Sequence, residues 1–95
     1  MTYAVVAQYR CEPADEATVS AALLTMRGHT LTEPGNLAYV VHAETGRPGG
    51  FLLYEQYTDR AAFEAHTAAD YFEELVVRTV RPVLTERVVT FADVL

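Results

Sequence analysis

Phe51-Leu52-Leu53-Tyr54-Glu55-Gln56-Tyr57 is the stretch on which the fold turns. Side chains alternate along a strand, so Phe51, Leu53, Glu55 and Tyr57 share one face while Leu52, Tyr54 and Gln56 share the other. Both faces are largely apolar, and a chain of 95 residues cannot bury both with its own helices. The expectation is a sheet covered on one face by helices of the same chain, with a pocket between them, and on the other by a second copy. Glu55 then points into an aromatic-lined site. A desolvated carboxylate is costly unless hydrogen-bonded, paired or protonated, so Glu55 asks for a partner.

Outward from this strand, Glu44-Thr45-Gly46-Arg47-Pro48-Gly49-Gly50 is turn chemistry that joins it to an earlier strand, Leu37 to Ala43, as a long-looped hairpin. Tyr3 to Tyr9, rich in Val, Ala and Tyr, is a first strand that stops at Arg10-Cys11-Glu12-Pro13. Pro13 suits a helix start, and Asp15 and Glu16 lie where the helix dipole favours anions. Val19, Ala22, Leu23 and Met26 then recur at helical spacing, and the helix ends before Glu33-Pro34-Gly35-Asn36. Past the hairpin, Asp59 caps a helix with Ala62, Phe63 and His66 on one side. Asp70-Tyr71-Phe72-Glu73 has the form of a capping box, which restarts the helix and carries it to about Arg81, before Pro82. Val83 to Phe91 is a last strand, and Ala92 to Leu95 an apolar tail able to reach a partner subunit. The order β-α-β-β-α-β is that of a ferredoxin-like α+β domain, an antiparallel sheet with helices on one face, as one domain over residues 1–95.

Thirteen acidic residues against seven basic ones give a net charge of −6, which repels phosphate backbones; with no basic stripe, nucleic acid is not an expected partner. The lone Cys11 has no intramolecular disulfide partner, and no Cys or His spacing suggests a metal. Nothing approaches ~20 consecutive apolar residues, and the first residues lack the form of a secretory signal, so the expectation is a cytoplasmic protein away from membranes.

Three segments carry a family resemblance: Glu33-Pro34-Gly35-Asn36-Leu37-Ala38-Tyr39, Phe51-x-x-Tyr54-Glu55-x-Tyr57-x-Asp59, and Ala62-Phe63-Glu64-Ala65-His66. In this order and spacing the chain resembles the antibiotic biosynthesis monooxygenase family. The resemblance implies a dimeric α+β barrel and, among members that are enzymes, oxygenases acting on quinols or aromatic polyketides without flavin, metal or haem. The same fold hosts haem-degrading enzymes, isomerases and binding domains. In the haem-degrading branch an Asn, a Trp and a His stand where this chain has Tyr9, Tyr57 and Val76, so the resemblance implies no axial ligand and no haem. Many oxygenase-like members carry a Trp in place of Tyr57 and a second His near Tyr71.

His66 and Glu55 are the leading pair of candidate catalytic residues. One lies on the helix and the other on the strand beneath it, and a carboxylate beside an imidazole orients it and raises its basicity. The alternative is a buried polar clamp that ties helix to sheet. Tyr57 and Tyr71 are candidate donors to a substrate oxygen, or rings that simply pack. Phe51, Leu53, Phe63 and Phe72 are candidate walls of the substrate pocket, or core. Asn36 stands at a pocket mouth or serves the turn. His29 and His42 are expected to face solvent, and Cys11 to be an inert thiol.

The functional expectation is a small cofactor-independent monooxygenase acting on a phenolic, quinol or aromatic polyketide-like molecule, with molecular oxygen as co-substrate and no bound haem, flavin or metal. Two alternatives use the same pocket: a non-catalytic ligand-binding or dimerisation module, and a non-oxidative isomerase or cyclase in which His66 moves protons.

Overall fold

The stretch Phe51–Tyr57 is the body of β3 (Gly50–Tyr57), a central strand of a four-stranded antiparallel sheet. The computed structural model describes residues 1–95. Its elements are β1 (Tyr3–Cys11), α1 (Glu16–Thr30), β2 (Asn36–Ala43), β3, α2 (Arg60–Thr67), a short α3 (Asp70–Phe72) that runs on as a π-helical segment over Glu73–Val80, and β4 (Leu84–Asp93). The strand order β2-β3-β1-β4 is the ferredoxin-like one. All helices lie on one face, and the thinnest dimension, 17 Å, is that of two layers. No helix is long and apolar enough to cross a membrane.

The alternation along β3 holds: Phe51, Leu53, Glu55 and Tyr57 are buried beneath the helices, while Leu52, Tyr54 and Gln56 are half-buried on the open face. The core joins Val19, Leu23 and Met26 of α1 to Val76 and Val80 of the π-helical segment, over Ala7, Phe51 and Leu53 of the sheet. On the open face Val40 and Val88 are 42% and 46% exposed, with no helix above them.

Four departures from the sequence reading have a clear local reason. β1 runs on to Cys11, whose N–H donates to Gly49 O at 2.9 Å. Gly49 has φ +78°, and a Cβ there would stand 2.1 Å from the Cys11 carbonyl oxygen, so only glycine lets the loop approach β1 this closely. β2 starts at Asn36 and is bulged at Leu37, and Asn36 Nδ2 donates to Ala38 O at 3.0 Å across the bulge. The Asn36 amide is thus engaged at the turn. The capping box at Asp70 does not form: Ala69 is the N-cap, Asp70 is the first helical residue, and the winding then widens. Half of the expected tail belongs to β4, since Ala92 and Asp93 pair with Ala4 and Tyr3 along the edge that β1 offers. Asp59, by contrast, caps α2 as read, accepting from Ala62 N–H at 2.8 Å.

Candidate functional site

His66 sits near the end of α2, only 3% exposed, and faces inward over β3. The turn Glu33-Pro34-Gly35 runs against the same helix, because Gly35 has no side chain: a Cβ there would lie 2.5 Å from Ala62 Cβ. That close approach carries Glu33 to His66. His66 Nδ1 lies 3.1 and 3.0 Å from the two Glu33 carboxylate oxygens. A carboxylate only accepts, so Nδ1 carries the proton and donates, and Nε2 keeps its lone pair. Glu33 also accepts a short hydrogen bond from the Tyr71 hydroxyl.

The lone pair on Nε2 looks toward the sheet, where Glu55 Oε1 stands 3.8 Å away, beyond hydrogen-bond range. Glu55 instead accepts from the Tyr57 hydroxyl at 2.6 Å. The sequence reading gave Glu55 the orienting role, but geometry gives the imidazole's direct hydrogen bonds to Glu33. Three groups thus run in a line, Glu33 to His66 to Glu55, and no cluster of three or more His, Cys, Asp or Glu side chains is placed to hold a metal ion.

Burial sets the electrostatics. It pushes the Glu55 carboxyl up to about 7, against the Tyr57 hydrogen bond, which works the other way. It lowers the His66 pKa, against Glu33, whose hydrogen bond and charge raise it. The imidazole is therefore neutral at neutral pH. Burial, with Glu33 beside it, also pushes the Tyr71 phenol up to about 12.

Between helices and sheet lies a cavity of about 40 Å³, lined by Tyr9, Tyr39, Glu55, Phe63, His66 and Phe72 with the aliphatic Val5, Ala7, Val76 and Val89. This holds a few waters and falls below the ~300 Å³ of ordinary small-molecule pockets, so the chamber is closed in this state. Of its aromatic walls, Phe63 and Phe72 are half-buried, whereas Tyr9 and Tyr39 are buried. On the far side of His66 a second hollow of about 230 Å³ is bounded by Glu33, Pro34, Gly35, Ala62, Ala65 and Tyr71. His66 is the partition between the two.

Of the residues singled out from sequence, His66, Glu55, Phe63 and Phe72 meet at the inner cavity. Phe51, Leu53 and Tyr57 are buried in the packed layer and do not line it. The Tyr57 hydroxyl is committed to Glu55, and Tyr71 faces the outer hollow with its hydroxyl on Glu33 and its ring stacked 4.7 Å from His29. The phenols that do line the cavity, Tyr9 and Tyr39, were not among the candidates. Their alternation on β1 and β2 was the available signal: Tyr39 pairs with Glu55, and Tyr9 with Phe51. Cys11 is buried, and burial pushes its thiol pKa up, as suits an unreactive group. His42 is exposed and bonded through Nδ1 to Leu52 O at 2.9 Å.

Residues 2–78 match the antibiotic biosynthesis monooxygenase family. A crystal structure described as an antibiotic biosynthesis monooxygenase superposes with a TM-score of 0.90 at 28% identity, covering 98% of each chain. Rv0793 from Mycobacterium tuberculosis shares the fold, with a TM-score of 0.91 at 24% identity over 100% of this chain and 96% of its own. So does PA3566 from Pseudomonas aeruginosa, with a TM-score of 0.90 at 21% identity over 99% of this chain and 94% of its own. No curated protein matches the chain. Family and named neighbour together support a monooxygenase-like role on a small molecule. A match over residues 2–78 takes in β1 through most of the π-helical segment, including both carboxylates and the imidazole, and on that ground the chain belongs to the antibiotic biosynthesis monooxygenase family.

Proposed function

We propose that this protein is a cofactor-independent monooxygenase acting on a phenolic, quinol or aromatic polyketide-like small molecule, with His66 Nε2 as the general base. The observation that carries the reading is the buried imidazole, held by Glu33 through Nδ1, with its other nitrogen turned into an aromatic chamber. Dioxygen is a triplet and reacts slowly with closed-shell molecules, whereas a phenolate or enolate is electron-rich enough to reduce it directly. His66 takes the phenolic or enolic proton, and the imidazolium so formed lies between the Glu33 and Glu55 carboxyl groups. Tyr9 and Tyr39 are placed to donate to the anion. One electron passes to oxygen, the radical pair collapses to a carbon–oxygen bond, the peroxide takes the proton held by His66, and loss of water with the remaining hydrogen of that carbon leaves a carbonyl. All four electrons that reduce dioxygen, two in forming the peroxide and two in the loss of water, come from the substrate, so the sequence of steps calls for no flavin, haem or metal. The apolar walls keep water from the peroxide. The lone, buried Cys11 suits a reducing cytoplasm.

Oxygen uptake with a panel of quinols and polyphenols, against heat-inactivated protein, is the direct test. The expected result is oxygen consumed in proportion to substrate, with a carbonyl product. Tight binding of an unaltered aromatic without oxygen uptake would replace this reading by a ligand-binding module, and turnover under strict anaerobiosis by an isomerase or cyclase.

The assembly we propose is a homodimer closed over the open sheet face. Leu52 and Tyr54 with Val6, Val40 and Val88 form an apolar surface that no helix of the chain covers, and burying a Leu fully is worth ~1.5–3 kcal/mol. Leu52→Asp should release monomers in sedimentation velocity while the wild type sediments as a dimer at micromolar concentration. A wild-type monomer under those conditions would remove the dimer from the proposal.

A further inference from the structure

We propose that the substrate bears a carboxylate and that Arg81, assisted by Arg87, is the pair that reads it at the Tyr9 end of the cavity. The inference rests on the inner cavity being the substrate site, but not on the redox chemistry proposed there.

All seven basic residues are arginines. Three are engaged at the surface: Arg47 with Glu44 at 3.2 Å, Arg60 with Glu64 at 3.2 Å and Arg78 with Glu73 at 3.5 Å. The other four, Arg10, Arg27, Arg81 and Arg87, make no ion pair, and of these Arg81 and Arg87 stand beside the cavity. Arg81 follows the π-helical segment, and its Nε is buried without any hydrogen-bond partner. A buried N–H left unmade is costly, so it marks a place where an acceptor belongs. Its guanidinium carbon stands 5.5 Å from the centre of the Phe72 ring, one of the half-buried walls of the chamber. Arg87 pairs in register with Tyr9 and shares the helix-facing side of β4 with Val89, and both Tyr9 and Val89 line the cavity. Burial and then the Glu55 charge push the Tyr9 phenol up, and both guanidinium groups oppose that rise, Arg87 more than Arg81.

The two arginines flank the cavity and do not line it: Arg81 stands behind Phe72, whose ring packs edge-on 5.3 Å from His66, and Arg87 lies on β4 opposite Tyr9. The imidazole and Glu55 line the cavity itself. An aromatic acid lying between imidazole and guanidinium would present its hydroxyl to His66 and its carboxylate to Arg81, whose planar fork matches a carboxylate in two parallel hydrogen bonds. As the carboxylate reaches Arg81 it would draw the guanidinium off Phe72 and free that wall. The competing accounts are structural. Arg81 suits a helix C-terminus, and an inward-pointing Arg87 guards a sheet edge.

Calorimetric titration of hydroxybenzoates and hydroxynaphthoates, each against its methyl ester, separates these accounts. The probes go to wild type, Arg81→Gln, Arg81→Lys and Arg87→Gln under nitrogen. On the wild type each acid that binds should do so at least tenfold more tightly than its ester. Arg81→Gln should lose ~10–100-fold in affinity for the acid and leave the ester unchanged. Arg81→Lys, which keeps the charge but not the fork, should fall between, and Arg87→Gln should lose less. Equal affinity for acid and ester on the wild type would overturn the proposal, as would binding of the esters alone. So would a loss in Arg81→Gln shared equally by acid and ester, since that is the mark of packing on Phe72. Because binding is read without turnover, an acid preference with no oxygen uptake counts against the oxygenase alone. Oxygen uptake on neutral phenols without an acid preference counts against this inference alone.

Discussion

His66→Ala should lower oxygen-consuming turnover by ~10²–10⁴, the ordinary worth of a positioned general base, while leaving the fold and its assembly intact. The side chain packs among Tyr39, Tyr57, Phe63 and Phe72 and bonds Glu33, so thermal stability should also fall, and the fold is checked by circular dichroism alongside the rate. Glu33→Gln supplies the finer measurement. The amide oxygen of the new side chain still accepts from Nδ1, but the charge that raises the His66 pKa is gone. The acidic limb of kcat/KM, on which the base must shed its proton before it can act, should therefore move to lower pH, with a smaller fall in rate than in His66→Ala. NMR titration of the imidazole in the same variant should show the same movement. A rate loss with an unmoved limb would mean that Glu33 holds α2 in place and tunes nothing.

Glu55→Gln should change how stability depends on pH. Burial pushes the folded-state carboxyl up from 4.5 to about 7, so the folded chain holds a proton there that the unfolded chain has already lost. Stability from this group is fully present below about 4.5 and is lost as pH rises toward 7. At ~1.36 kcal/mol per pH unit, the wild type should lose roughly 3 kcal/mol relative to Glu55→Gln across that window. His66 acts in the opposite sense. Its pKa is lowered, so the folded state binds fewer protons than the unfolded one and gains stability as pH rises to the ordinary 6.5. The wild type should therefore show a shallow profile, and Glu55→Gln an uncompensated rise. Urea denaturation across the window decides it: parallel profiles would mean that Glu55 is ionised in the folded protein at all these pH values.

The strand order and the two-faced character of β3 were legible because they rest on period-two alternation and on Pro-Gly turn chemistry, both local properties of the chain. His66 was legible because it stands on the same side of α2 as Phe63. Glu33 was not. Its partner is 33 residues away, and Glu-Pro-Gly-Asn reads as a turn until the contact of Gly35 with Ala62 brings it against α2. For Tyr57 and Tyr71 the sequence leaves donor and packing ring as alternatives, because alternation gives the direction of a side chain but not what its hydroxyl meets. Tyr57 spends it on Glu55 and Tyr71 on Glu33. The widened winding after Phe72 was invisible for another reason: an apolar stripe constrains which residues face inward, and Val76 and Val80 face inward in either winding.

That winding has a consequence for how such chambers diversify. Over Glu73–Val80 the helix is wound wide, and the Thr79 hydroxyl donates to the Glu74 carbonyl, five residues back, at 2.8 Å. In an ordinary α-helix, losing one residue turns one flank by about 100° against the other, whereas a wide segment can absorb the loss by tightening, so that the flanks keep their facing. Glu73–Val80 is thus a stretch where the helical wall of the chamber can change length while Val76 and Val80 still face the sheet.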